Sequence, residues 1–192
     1  MNDTANQACL PRIVRRAALG KPPGRRYTLA VRIMGIDPGY HRCGFGVLEG
    51  AAGAVRVLGS GVIQTEAGRP LCERLNHLAQ ELDAQLLKWR PDGVAVEEIF
   101  FTKNAKTAIG VAQARGVVLQ RCASGSLPVH EYAPTMVKSQ LTGNGRADKK
   151  QVEFMVRKFV ELNDEKRLDD ELDAIAVALC HSQRMDVPEV LR

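Results

Sequence analysis

Two carboxylates stand at the ends of short apolar runs. Asp37 closes the run 33–36 and directly precedes a Pro-Gly turn, and Glu97 closes the run 94–96. A carboxylate inside a buried strand costs several kcal/mol unless a partner compensates its charge. At the end of a strand the same group is rigidly mounted and partly exposed, as a metal ligand or a catalytic acid must be. Asp37 alone could equally be a turn residue that satisfies its own backbone, so the other acids decide between these interpretations.

A second pair of carboxylates lies on an apolar helix towards the C-terminus. Asp170 and Asp173 are three residues apart, so they share one helix face. Residues 174–179 are all apolar, which indicates a helix that is buried along most of its length. The positive end of a helix dipole accounts for acids in the first turn, at about 0.3–1 kcal/mol each. It does not account for Asp173, which lies further in, and we therefore interpret the pair as functional.

Four converging acids would support metal-dependent phosphodiester hydrolysis. Their mutual repulsion would raise their pKa values unless cations occupied the site. Ligands that offer only oxygen favour Mg²⁺ or Mn²⁺ over zinc. Two such ions about 3.5–4 Å apart can activate a water and stabilise the leaving oxygen. The sequence thus predicts Asp37, Glu97, Asp170 and Asp173 as metal ligands and catalytic acids.

The order of the predicted elements indicates an α/β domain in which a mixed five-stranded sheet is flanked by helices. Three strands form an antiparallel meander, and helices then alternate with the remaining strands. The predicted strands cover 31–37, 45–49, 55–63, 94–97 and 127–132. The predicted helices cover about 69–89, 103–122, 148–161 and 168–182, and a short helix begins at Pro134.

Composition points to one cytoplasmic domain. A length of 192 residues suits a single domain with a substantial core. No apolar run approaches the ~20 residues that a membrane span requires, and no signal peptide is evident. The five cysteines form no C-x-x-C pair, which favours reduced thiols over a zinc site or a disulfide framework.

The net charge of +5 belongs to the first 30 residues, which carry six basic residues against one acidic residue. Residues 1–30 have no sustained periodicity and are rich in Pro and Gly. We interpret them as a disordered basic arm or as the product of a start codon assigned too early. Residues 31–192 then form a single domain that is neutral on average, so any nucleic-acid surface must come from segregated charge.

Five segments, in order and at matching spacing, resemble the RuvC family of Holliday junction resolvases over residues 31–185. They are Ile36-Asp37-Pro38-Gly39, Ala95-Val96-Glu97-Glu98-Ile99-Phe100, Lys103-Asn104-Ala105, Gln113-Ala114-Arg115-Gly116 and Asp170-Glu171-Leu172-Asp173-Ala174. The resemblance implies a ribonuclease-H-like fold, four metal-binding catalytic acids and two Mg²⁺ ions per site, with Mn²⁺ as a possible substitute. Glu98 competes with Glu97, but it would point to the opposite side of the strand, and the family motif places the catalytic acid directly after Ala-Val, which favours Glu97. The resemblance also implies a homodimer built mainly through the helix after Phe100.

A basic segment and an aromatic residue are the candidates for DNA contact. Between 138 and 158, six basic residues face two acidic ones: Lys138, Arg146, Lys149, Lys150, Arg157 and Lys158 against Asp148 and Glu153. Lys149 and Lys150 begin a helix whose free N–H groups also attract phosphate, whereas Arg157 and Lys158 compete with a simple solvated face. Either Phe100 or Phe101 could stack on an unpaired base, worth about 1–3 kcal/mol. The resemblance favours Phe100, Lys138 and Lys149.

The expected function is a dimeric, Mg²⁺-dependent endonuclease that cuts two opposed strands of a four-way DNA junction in recombination and repair. The resemblance implies a branch-migration motor of the RuvA and RuvB type as partner and no membrane association. Three alternatives are open: a related nuclease acting on another structured nucleic acid, a junction-binding protein without catalysis, and an actin-like ATPase. The last would need a second domain that 192 residues hardly accommodate.

Overall fold

The computed structural model describes residues 30–51, 54–99, 105–162 and 167–185. The strands are β1 (Val31–Asp37), β2 (Arg42–Ala51), β3 (Ala54–Gln64), β4 (Gly93–Glu97) and β5 (Val129–Tyr132). The helices are α1 (Leu71–Trp89), α2 (Ala105–Ser124), α3 (Pro134–Thr142), α4 (Lys149–Phe159) and α5 (Asp169–Met185). The predicted arm, apart from residue 30, lies outside the described residues, as do Phe100 and Phe101.

The five strands form one mixed sheet in the order β3-β2-β1-β4-β5. β1 pairs antiparallel with β2 and parallel with β4, while β2–β3 is antiparallel and β4–β5 is parallel. This confirms the predicted meander followed by parallel strands. β2 is longer than the predicted 45–49, because pairing with β3 extends it to Arg42 at one end and Ala51 at the other.

The sheet separates two apolar cores, one on each face. Side chains alternate along a strand, so Met34 and Ile36 pack towards α1 and α2, whereas Ile33 packs towards α3, α4 and α5. Ala95 of β4 also belongs to the α5 side. Asp37 lies four residues beyond Ile33, and Glu97 lies two residues beyond Ala95. Because residues an even number apart in a strand share a face, both acids lie on the face that α5 covers.

α5 lies directly on the sheet because glycines occupy the strand positions that it contacts. A Cβ added to Gly35 would overlap the backbone carbonyl oxygen of Ala174, and one added to Gly44 would overlap that of Asp170. At Gly46 an added Cβ would come within 2.6 Å of the Ile175 side chain. The helix backbone thus rests against β1 and β2 with no side chain between them, and this brings the start of α5 to the end of β1.

The cysteines at 43, 72, 122 and 180 are free thiols. No helix in the described ranges is long and apolar enough to cross a membrane.

We expect Gly35→Ala to destabilise the protein, because its new methyl group must displace α5 from β1. Overpacking of this kind costs about 1–3 kcal/mol, which corresponds to a fall in Tm of about 2–10 °C at this chain length. Thermal unfolding followed by circular dichroism measures it.

Gly68→Ala is the matched control, because no atom lies within 4 Å of the position that its Cβ would take. It should leave Tm within about 2 °C of the unmodified protein. Equal melting of the Gly35 and Gly68 variants would contradict the close packing of α5.

Candidate active site

Adjacent parallel strands place Asp37 and Glu97 side by side. Ile36 pairs with Val96 across β1 and β4, so the acid that follows each of them meets the other at the edge of the sheet. The two carboxyl groups share a hydrogen bond, in which the protonated Glu97 donates to Asp37. Glu98 is exposed. The alternation of side chains along β4 thus places Glu97, and not Glu98, beside Asp37.

α5 brings Asp170 and Asp173 to the same place, and the close approach perturbs the acids. Burial, reinforced by the charge of Asp173, raises the pKa of Asp37 to about 6, although the hydrogen bond from Glu97 opposes the rise. Burial and the charges of Asp37 and Asp173 raise the pKa of Glu97 to about 8. Burial also raises the pKa of Asp173, against the attraction of Lys149. Asp37, Glu97 and Asp173 therefore influence one another through their charges, and the charge of Asp170 acts on Asp37 and Asp173.

Two basic residues hold the acids of α5. Arg42, at the start of β2, places its Nε 2.9 Å from Oδ2 of Asp170. Lys149, at the start of α4, places its Nζ 3.5 Å from Asp173 and 3.3 Å from Asp169. Burial lowers the pKa of Lys149, but the two aspartates outweigh it and the net pKa is raised. The cations approach from opposite sides, Arg42 from the meander and Lys149 from the helical layer.

The four carboxylates are suitable ligands for a hard divalent cation, although their oxygens are not arranged as a complete coordination site. In the described part of the chain, no group of three or more His, Cys, Asp or Glu side chains has a metal-holding arrangement. All four candidate donors nevertheless offer carboxylate oxygens, which Mg²⁺ and Mn²⁺ prefer. Oδ2 of Asp170 is buried and makes no hydrogen bond to the described residues, despite its proximity to Arg42. A divalent cation would satisfy this oxygen and offset the repulsion that raises the neighbouring pKa values.

The loop that follows Asp37 is clamped by a buried arginine. Arg74 of α1 is only 6% exposed, and its Nη2 donates to the carbonyl of Tyr40 at 2.6 Å and lies 2.7 Å from Nδ1 of His41. Thr65 accepts from Nε of Arg74 and donates its hydroxyl to the same Tyr40 carbonyl. This clamp fixes the loop between Asp37 and Arg42, and the sequence pattern did not indicate it.

Among the predicted DNA-contact residues, Lys149 lies beside the acids, with its Nζ 3.5 Å from Asp173. Lys138 on α3 is half-buried, while Arg146, Lys149 and Lys150 are exposed. The turn before α4 is held by hydrogen bonds, since Oδ1 of Asn144 accepts from the N–H of Arg146 at 3.0 Å. A reciprocal capping box between Asp148 and Gln151 then starts α4. Lys149 thereby projects from a fixed helix end.

The two basic residues further along α4 make only local surface contacts. Arg157 pairs with Glu153 one turn earlier at 3.0 Å, and Lys158 lies over the ring of Phe154. These contacts agree with the alternative of a solvated face. His181 is buried and lies 2.6 Å from the hydroxyl of Tyr132, so it has a structural environment.

Sequence reasoning missed three features of this site: Arg42, Arg74 and the glycines below α5. A signal existed for the glycines, because Gly44 and Gly46 alternate along one strand face and so leave that face without side chains. No pattern marked the arginines, since Asp170 lies 128 residues from Arg42 and Tyr40 lies 34 residues from Arg74.

Comparison with known proteins gives the family of this chain. The family model described as crossover junction endodeoxyribonuclease RuvC matches residues 33–181. A relative of that name from Syntrophomonas wolfei is 46% identical over 151 residues, covering 79% of this chain and 88% of the relative. One from Frankia alni is 46% identical over 155 residues, covering 80% of this chain and 79% of the relative.

Solved structures give the same result. The structure of T. thermophilus RuvC in complex with Holliday junction substrate superposes with a TM-score of 0.75 at 36% identity, over 81% of this chain and 96% of that one. The fowlpox virus resolvase, at 15% identity and a TM-score of 0.54, covers 79% of this chain and 99% of its own and shares the fold. The ribonuclease-H-like fold class is thereby confirmed. The chain belongs to the RuvC family of crossover junction endodeoxyribonucleases, the family that its motifs resemble.

Proposed function

We propose that this protein resolves four-way (Holliday) DNA junctions by paired, symmetric nicks in opposed strands, during homologous recombination and DNA repair. The observation that carries the proposal is the meeting of Asp37, Glu97, Asp170 and Asp173 beneath the start of α5. Membership of a family of junction endonucleases provides the substrate class. Lys149 beside the acids, with the exposed side chains of Arg146 and Lys150 near it in the sequence, would offer a surface for a DNA backbone.

The proposed cofactor is Mg²⁺, with two ions per site held by the four acids and Mn²⁺ as a substitute. When bound, such ions supply activation of water and stabilisation of charge at the scissile phosphate. Asp37 has the central position, because it contacts Glu97 on one side and experiences the charges of both α5 acids on the other. The strands hold Asp37 and Glu97 rigidly, and α5 positions the other two.

Lys138, Arg146, Lys149 and Lys150 are the proposed contacts to DNA phosphates. Lys138 lies in the middle of α3, Arg146 lies on the turn between α3 and α4, and Lys149 and Lys150 lie at the start of α4. Phosphate contacts of this kind orient a duplex without reading its sequence. The stacking role of Phe100 stays a prediction, since that residue lies outside the described part of the chain.

A homodimer is proposed through α2. Ile109 is 61% exposed there, Ala112 is exposed, and no atom lies within 4 Å of a Cβ added to Gly116. A second copy would cover this face, and two-fold symmetry would present two sites to opposed strands. A cytoplasmic location and a motor partner of the RuvA and RuvB type remain predictions.

The direct test compares cleavage of a mobile four-way junction, a linear duplex of the same sequence and an RNA–DNA hybrid, each with Mg²⁺ and with EDTA. We expect paired nicks in the junction only when Mg²⁺ is present, with ends that ligase reseals. Equal cutting of all three substrates would reject junction resolution in favour of a general nuclease.

Asp37→Asn should abolish cleavage while leaving junction binding. Loss of a central ligand removes several kcal/mol of transition-state stabilisation, or a factor of about 10³ or more in the rate of nicking. Single-turnover cleavage and gel-shift binding measure the two properties. Asp83→Asn is the control, because Asp83 is a carboxylate on α1 that pairs with Arg121 away from the site. Residual nicking above a hundredth of the unmodified rate would exclude a central role for Asp37.

The metal-free protein should lose stability as pH rises. The folded-state pKa values, about 6 for Asp37 and about 8 for Glu97, lie above the unfolded values of 3.8 and 4.5. The folded protein therefore binds more protons between about pH 4 and pH 8, and its stability falls through that window.

Glu97→Gln removes the larger contribution, so in EDTA its Tm should exceed that of the unmodified protein by about 3–10 °C at pH 9 and match it near pH 4. Differential scanning calorimetry at the two pH values measures the difference. Glu81→Gln, which changes an exposed carboxylate on α1, should show no such dependence. If the Tm of Glu97→Gln at pH 9 is equal to or below that of the unmodified protein, ionisation of Glu97 does not destabilise the folded state.

A further inference from the structure

We propose that Arg42 is a positioning residue that holds Asp170 in the metal-free protein, yields it to a divalent cation, and then contacts a phosphate of the cut strand. The inference deepens the proposed function and rests on the proposed cation site. Three features of the structure support it: the geometry of the ion pair, the anchoring of the loop before Arg42, and the positions of the Arg42 and Lys149 side chains around the acids.

The pair between Arg42 and Asp170 is close but poorly matched. Nε of Arg42 lies 2.9 Å from Oδ2 of Asp170, yet that oxygen has no hydrogen bond among the described residues. An optimal arginine–carboxylate pair makes two parallel N–H···O bonds. The Arg42 side chain is also 50% exposed, against 20% for Asp170, so solvent screens the attraction. Such a pair keeps Asp170 in place without competing strongly against a doubly charged ion.

The backbone beneath Arg42 is fixed, so only its side chain is free to respond. Two donors, from Arg74 and Thr65, hold the carbonyl of Tyr40 at 2.6 Å each. The N–H of Thr65 donates to the carbonyl of His41 at 3.0 Å, and Arg42 itself pairs with Gln64 across β2 and β3. A long side chain on an anchored backbone can change partners without disturbing Asp37 at the other end of the loop.

Charge placement sets the direction of that change. Lys149 already offsets Asp173 and Asp169 from the helical side, while Arg42 offsets Asp170 from the meander side. A divalent cation at Asp170 would repel the guanidinium, and the exposed half of the Arg42 side chain faces solvent beside the acids. The planar guanidinium fork matches two oxygens of a phosphate, and a DNA strand entering the site presents phosphates there.

The first test measures Mn²⁺ binding to the intact protein without DNA. Binding is detected as a loss of the electron paramagnetic resonance signal of the free ion. Arg42→Gln should bind Mn²⁺ about two- to fivefold more tightly, because an exposed ion pair of this kind no longer has to be broken. Arg56→Gln is the matched control, since Arg56 is an exposed β3 arginine paired with Glu49 away from the acids. In an Asp170→Asn background, the Arg42 substitution should have no further effect on Mn²⁺ affinity.

The second test is single-turnover junction cleavage across a Mg²⁺ titration. Arg42→Gln should lower both the Mg²⁺ concentration for half-maximal rate and the maximal rate itself, by about tenfold for the rate if one phosphate contact is lost. Arg42→Lys keeps the charge, so it should restore the Mg²⁺ requirement but only part of the maximal rate. A merely structural role would not lower the Mg²⁺ requirement.

The outcomes separate this inference from the proposed function. If the unmodified protein cuts junctions but Arg42→Gln binds Mn²⁺ no more tightly than it does, Arg42 does not compete for Asp170 and the inference fails alone. An unchanged maximal rate in that variant would overturn the phosphate contact. If the unmodified protein cuts no junction yet the substitution tightens Mn²⁺ binding, Arg42 still holds Asp170 and the proposed function fails.

Discussion

The contact between the backbone of α5 and the backbones of β1 and β2 is the constraint on which the site depends. Helices usually rest on a sheet through layers of side chains, which keep the two backbones about 10 Å apart. Here Gly35, Gly44 and Gly46 remove one layer, and the first turns of α5 descend to the level of Asp37. This close packing also brings the acids next to one another. The glycines of the sheet therefore determine the electrostatic properties of the site.

That electrostatic property explains why basic residues surround the acids. Asp37 and Glu97 share a proton between them, and this resolves their repulsion on the strand side. Asp170 and Asp173 have no such arrangement and instead pair with Arg42 and Lys149. The metal-free protein thus balances four partly buried carboxyl groups by protonation on one side and by ion pairing on the other. Both compensations are weaker than a doubly charged ion at the centre would be.

Much of this arrangement could be predicted from the sequence, because it follows from periodicity. Apolar runs that end in an acid identified the strand positions of Asp37 and Glu97. The period of two along β4 set Glu97 and Glu98 on opposite sides, and the family motif favoured Glu97. The spacing of Asp170 and Asp173 identified one face of a buried helix. Arg42 and Arg74 could not be predicted in this way, because their partners meet only after a loop folds back on α1 and α5 covers β2. A charged residue in a loop has no periodicity to reveal its partner.

The division of the site between strands and a helix has an energetic consequence. The strand acids are fixed by the sheet, whereas the helix acids are only as well placed as the packing of α5, which a single methyl group at Gly35 or Gly44 would disturb. A cation that bridges both sets would link the start of α5 to the end of β1, so binding it and packing the helix must stabilise each other. Arg42 and Lys149 fulfil part of that linking role before an ion arrives, since each joins an α5 acid to another element. Arg42 and Lys149 therefore organise the α5 acids in advance of the proposed cation.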